Sequence, residues 1–199
     1  MLWDVLPTGK QIGGAPANFA FHVSQFGLPV RVVSAIGSDA LATETRSVFA
    51  ERHLEAIMPS LPQPTGTVIA EIDESGVAHY TFPDNVAWDN IPFTPEMEAM
   101  ARQTRAVCWG SLAQRSEVSR QSILRFVDTV PDGPGQYKIF DINLRQNFYT
   151  REVITESLER ANVLKINDEE LVVVARMFGL QGTDLEAKCR TLLTDYHLD

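Results

Sequence analysis

From residue 106 to the end of the chain, short apolar runs alternate with amphipathic stretches, and this rhythm restricts the fold more than any other feature. The runs AVCW (106–109), KIFDI (138–142) and VLKI (163–166) have strand length, while helical patterns cover 116–130, 151–161, 168–178 and about 183–194. Strands separated by helices build a largely parallel sheet with helices packed on it. The same rhythm begins earlier in the chain. Residues 15–26 (APANFAFHVSQF) read as a helix that is apolar nearly all round, hence buried, with Asn18, His22 and Gln25 on a narrow polar stripe. Residues 30–36 (VRVVSAI) read as a strand buried on both faces, 39–53 as a helix with Asp39 as its N-cap, and about 95–103 as another helix. The fold class is α/β, and residues 1–199 are expected to form one domain.

Residues 67–82 break the pattern. TVIAEID and VAHYTF are strand-like runs joined by Glu74-Ser75-Gly76, a hairpin whose glycine can take the positive φ of a tight turn. Such a hairpin, inserted over about 65–88, forms a small sheet of its own. Its Tyr80, Phe82 and Trp88 make an apolar face that must cover something.

The formal net charge of −9 argues against a nucleic-acid groove or an anionic membrane surface, both of which demand clustered Lys and Arg. No run approaches the roughly 20 apolar residues that span a bilayer. The start, MLWDVLPTGK, lacks the basic and apolar regions of a secretory signal. Two cysteines, Cys108 and Cys189, make neither a disulfide framework nor a metal site. A cytoplasmic protein is the expectation.

Ligands of α/β folds sit outside the carboxyl ends of strands, and three polar clusters draw attention on that ground. Gly13-Gly14-Ala15-Pro16-Ala17-Asn18 opens the first helix with no clear strand before it. Paired glycines allow close backbone approach, the helix start offers N–H groups, and Asn18 can both donate and accept, but an ordinary loop-to-helix junction has the same spelling. Asp141-Ile142-Asn143-Leu144-Arg145 follows a strand, and extended alternation would set Asp141, Asn143 and Arg145 on one side, able to grip hydroxyls and phosphate. A turn with a salt bridge is the alternative. Asn167-Asp168-Glu169-Glu170 reads either as a helix cap with acidic residues or as Asn167 and Glu170 organising a hydrated Mg²⁺. Asp4 alone reads as a solvated acid, and His22 as a satisfied core histidine.

In their order, these strings resemble the ribokinase/PfkB carbohydrate kinases over essentially the whole chain. LWDVLP resembles the end of that family's first strand, with Asp4 as its sugar-binding aspartate, and GGAPANFAFHVSQFG its first signature, with Gly13, Gly14 and Asn18 at substrate-contacting positions. AIGSDALA stands at a G-x-D-x-x-G motif through Gly37 and Asp39, with Ala42 in place of the second glycine, and TVIAEIDESGVAHYTF resembles a lid hairpin. FDINLRQNFY and VAWD are similar to the fructokinase-like branch, and KINDEE carries N-x-x-E in Asn167 and Glu170, which the resemblance associates with Mg²⁺ and phosphate.

The resemblance implies a ribokinase-like three-layer α/β/α fold with a hairpin lid. It implies transfer of the γ-phosphoryl group of ATP, with Mg²⁺, to a hydroxyl of a monosaccharide, fructose above others. Asp4, Gly13, Gly14, Asn18, Asp141, Asn143 and Arg145 would bind substrate. A homodimer through the lid is the implied assembly. The family's G-A-G-D segment, which carries the anion hole and the general base, has no counterpart in these 199 residues. Most of the first central strand is absent as well. The chain is therefore expected to be an incomplete kinase, inactive alone, with apolar surface left uncovered. Rival readings are a non-catalytic sugar-binding remnant and a protein that dimerises through the hairpin.

Overall fold

The computed structural model describes residues 1–6, 8–72 and 78–199. They divide into two compact units, Met1–Pro92 and Phe93–Asp199.

The first unit begins with β1 (Leu2–Leu6) and β2 (Gly9–Gly13), followed by α1 (Ala15–Gln25), β3 (Arg31–Val33), α2 (Ala40–Glu51), β4 (Glu55–Ile57), β5 (Gly66–Ile72) and β6 (Ala78–Thr81). β1 runs antiparallel to β2, with Leu2 opposite Gly13 and Asp4 opposite Gln11, and parallel to β5, with Leu2 opposite Gly66. β5 then pairs antiparallel with β6. The expected hairpin is thus half of a four-stranded sheet ordered β2-β1-β5-β6. Its expected turn at 74–76 lies outside the described residues. Trp88 does not face outward from this sheet. It is buried against Gly66, where a Cβ would stand 2.2 Å from the indole Cδ1, so only glycine fits beneath it. Tyr80 does face outward, at 52% exposure.

Behind this sheet, β3 and β4 pair in parallel, and Ala17, Ala20, Val32, Ile36, Phe49 and Met58 form an apolar core. The Trp3 indole donates to Thr45 Oγ1 at 3.0 Å and ties β1 to α2. Three expectations need correction here. A strand does precede Gly14, because β2 ends at Gly13. α1 buries only Ala17 and Ala20, leaving Phe19 40% exposed and His22 on the surface beside the Phe21 ring. The 30–36 run is a shorter strand than expected, and its Arg31 is exposed.

The second unit comprises α3 (Pro95–Ala101), β7 (Ala106–Gly110), α4 (Glu117–Thr129), β8 (Tyr137–Asp141), α5 (Arg151–Leu158), β9 (Val163–Lys165), α6 (Asp168–Phe178) and α7 (Leu185–Asp195). Its three strands are parallel in the order β7-β8-β9, as strand–helix alternation requires. Phe140, Ile142, Ile154, Leu158 and Val174 are fully buried between the strands and α4, α5 and α6, and Trp109 stacks on Phe140 at 5.8 Å. Four of these five helix starts are capped by a side chain, α4 being the exception. Thr94, Thr150, Asn167 and Asp184 accept a hydrogen bond from the N–H three residues on, and Gly179 closes α6 in the left-handed conformation. Four of the six strand pairings are parallel, so the α/β class holds.

Candidate functional site

In the first unit, Asp4 and Gly13 lie diagonally across the β1–β2 ladder on one face. A Cβ on Gly13 would stand 2.2 Å from Asp4 Oδ2 and 2.9 Å from its Cγ, so the carboxylate occupies the space a side chain would fill. Asp4 is half-buried and has no hydrogen-bond partner among the described residues. Burial pushes its pKa above the ordinary carboxylate value. A carboxylate withdrawn from water and left unpaired is at odds with local stability, and it suits a ligand that brings hydroxyl donors.

Gly14 caps α1 at φ 105, a conformation costly for other residues, and no side chain closes this helix start. Asn18 belongs to the first turn, its N–H bonded to Gly14 O at 3.0 Å and its side chain exposed. Asp4, Gly13 and Gly14 therefore meet where β2 runs into α1, and Asn18 follows one turn later.

Sequence reasoning gave Thr65 no role, yet it meets Gly37 and Asp39 in one knot. Asp39 Oδ1 accepts from Ala42 N at 2.8 Å and from Thr65 Oγ1 at 2.7 Å, and Oδ2 accepts from Thr65 N at 2.7 Å. Gly37 N donates to Thr65 Oγ1 at 3.0 Å, and a Cβ on Gly37 would lie 2.7 Å from Thr65 N. Burial raises the Asp39 pKa, but the hydrogen bonds from Thr65 and Ala42 outweigh it and hold the carboxyl below its usual range. Ala42 lies within α2, so no glycine turn is needed there.

In the second unit, the strand ends at Asp141, and Asn143 takes φ 38 and Gln146 φ 46. Extended alternation therefore does not continue to Arg145, and the triplet does not share one strand face. Asp141 Oδ1 is 3.0 Å from Lys165 Nζ on β9, the salt bridge allowed for as the alternative. The Asn143 side chain is half-buried with no hydrogen-bond partner among the described residues. Arg145 is exposed, with Nη1 donating to Leu144 O at 3.0 Å. Ser111, at the end of β7 and completely buried, donates through Oγ to Ile142 O at 2.6 Å. Nothing in the sequence marked Ser111 except its place directly after a strand. Cys108 is no nucleophile: burial, then the nearby Asp141 carboxylate, push its thiol up to about 12.

Asn167 and Glu170 form a capping box. Asn167 Oδ1 accepts from Glu170 N at 2.9 Å, and Glu170 Oε2 accepts from Asn167 N at 3.0 Å. Glu170 Oε1 accepts from Leu144 N at 3.0 Å. Both carboxylate oxygens are thus engaged by backbone donors, and the residue is buried. Mg²⁺ keeps several of its own waters and is held through few protein oxygens, and each Glu170 oxygen, accepting a single backbone N–H, retains a lone pair toward such a hydrated ion. No cluster of three or more His, Cys, Asp or Glu residues able to hold a metal occurs among the described residues.

The fold is of the α/β class, with polar groups at strand ends where ligands of such folds bind, and comparison with known proteins gives its family. Residues 7–196 match the pfkB family carbohydrate kinases, and the chain belongs to that family. It is similar to the uncharacterized sugar kinase PH1459 of Pyrococcus horikoshii, with 23% identity over 201 residues, covering 97% of this chain and 63% of that protein. The structure of that kinase in complex with ATP superposes with a TM-score of 0.77 at 20% identity, covering 88% of this chain and 63% of the other. A fructokinase of Salmonella typhimurium is 26% identical over 171 residues, covering 82% of this chain and 55% of the relative. Fructokinase from Vibrio cholerae, with fructose, ADP and calcium bound, matches with a TM-score of 0.74 at 20% identity, over 99% of this chain and 65% of the other. The chain thus spans between half and two thirds of the length of these relatives. The structural matches establish the ribokinase-like fold class.

Proposed function

We propose that this chain is the sugar-binding portion of an ATP-dependent, fructokinase-like kinase, with fructose as acceptor. The reaction joins a sugar hydroxyl oxygen to the γ-phosphorus of ATP, breaks the bond to the β-phosphate oxygen and releases ADP and a proton. Such transfer depends on positioning and on neutralising charge more than on covalent chemistry by the protein. Mg²⁺ is the proposed accompanying cation.

One observation carries the reading: the half-buried Asp4 carboxylate, unpaired and held where Gly13 leaves room. It is the right acceptor for sugar hydroxyls, and Gly14 and Asn18 stand beside it at an uncapped helix start. In the second unit, Asp141, Asn143 and Arg145 supply further polar groups at the end of β8, assigned to substrate on the same reading. The fructokinase relatives support fructose as the sugar. The hairpin over about 65–88, part of the four-stranded sheet, is the proposed lid, excluding water over the sugar. Its exposed Ile69 and Tyr80 are the proposed contact of a homodimer. A cytoplasmic location agrees with a small-molecule substrate, and among the described residues no helix is long and apolar enough to cross a membrane.

Calorimetry or thermal shift with a panel of sugars tests this. Fructose is expected to raise the melting temperature of the chain, and Asp4→Ala or Asn18→Ala to abolish the rise. Equal stabilisation of wild type and both variants would remove Asp4 and Asn18 from the site.

A further inference from the structure

Glu170 does more than start its own helix. A capping box requires one carboxylate oxygen, and Oε2 meets that need through Asn167 N. The other oxygen, Oε1, reaches a segment 26 residues earlier and accepts the N–H of Leu144 at 3.0 Å. Leu144 lies between Asn143 and Arg145, two groups assigned to substrate. Gln146 adopts left-handed backbone, which is unfavourable for a long side chain, while Asn143 takes the same region more readily than most residues. Such a conformation persists only where its surroundings impose it. Contributing to this are Ser111 Oγ bonded to Ile142 O, the Arg115 guanidinium 4.9 Å from the centre of the Phe148 ring, and the Glu170 carboxylate on Leu144 N. Of these, Glu170 brings a charge that is 7% exposed and accepts from two backbone donors.

We propose that Glu170 is a positioning residue that latches the 143–145 loop to the start of α6. The consequence for sugar binding rests on the carbohydrate-kinase reading; the latch itself does not.

The test is amide hydrogen exchange read by NMR on the whole chain. Glu170→Ala removes the latch and the glutamate half of the capping box, leaving Asn167 Oδ1 on the N–H of residue 170, whereas Asn167→Ala removes that side-chain cap alone. The Leu144 amide is expected to exchange roughly 10- to 100-fold faster in Glu170→Ala and to stay within about twofold of wild type in Asn167→Ala. Unchanged Leu144 exchange in Glu170→Ala, or equal acceleration in both variants, would overturn the latch. If fructose binds, its affinity should fall about tenfold in Glu170→Ala and hold in Asn167→Ala. An absence of fructose binding in wild type would defeat the substrate assignment, while the exchange rates would still decide the latch.

Discussion

Asp4, proposed above to bind the sugar, opposes the stability of the chain that carries it. Burial raises its pKa, so the folded state prefers the protonated acid. The sign follows from linkage. Below the ordinary aspartate pKa of about 3.9 the side chain is neutral in both states and costs nothing. As pH rises through the raised folded-state value, the buried charge becomes a growing penalty. Asp4→Asn is therefore expected to be more stable than wild type at pH 7, by about 0.5 kcal/mol or less because the group is partly solvated. The gain should vanish near pH 3 and be accompanied by loss of fructose-dependent stabilisation. Denaturant melts at the two pH values check this, and an asparagine variant less stable at pH 7 would contradict it. Residue identity gave no hint of this environment. Asp4 reads as a solvated acid until β2 folds back and sets Gly13 against it.

Among elements, those written in local chemistry were legible and those made by pairing were not. The sequence marks α6 at both ends, through Asn167 with Glu170 and through Gly179, and the helix forms there. β2 (GKQIG) has no apolar alternation and is a strand because β1 lies beside it, and β4 is three residues long. Neither has a periodicity to detect. The apolar sequence of α1 suggested a buried helix, but pattern alone does not say how many faces find neighbours, and Phe19 finds few. The same gap affects the site, because capping and metal coordination use the same Asn and Glu, and only coordinates show where the oxygens point. The Asp39 knot is an element-scale device, binding the start of α2 to Thr65, the residue before β5. Its carboxyl pKa is depressed, so its stabilisation is present at neutral pH and is lost as pH falls through that lowered value. Asp39→Ala should cost roughly 3 kcal/mol at pH 7, from the lost cap and the charge-assisted bonds to Thr65. The deficit should shrink only in strongly acidic solution, as urea melts across pH would show.

For the molecule as a whole, binding groups and transfer groups are separate questions. These 199 residues hold no G-A-G-D string, Asp141 is paired with Lys165, Glu170 is engaged by backbone, and Asp4, half-buried without a partner among the described residues, is proposed to hold the sugar, so no described carboxylate is assigned the proton of its hydroxyl. The purified chain alone is expected to show no ADP release above background with ATP and fructose together. A coupled assay that finds sugar-dependent release would overturn this. The overall α/β order was readable because each strand–helix step in the second unit carries its own period, but the division at Pro92 was not, since no glycine- or serine-rich linker marks it. The close approach of Asp4 to Gly13 has a consequence for descent. Because the room for one side chain exists only through the lack of another, neither position can drift by itself. A lineage that abandons the acid frees the glycine to vary, and one that replaces the glycine first forfeits the acid's placement, so the two should be kept or lost together.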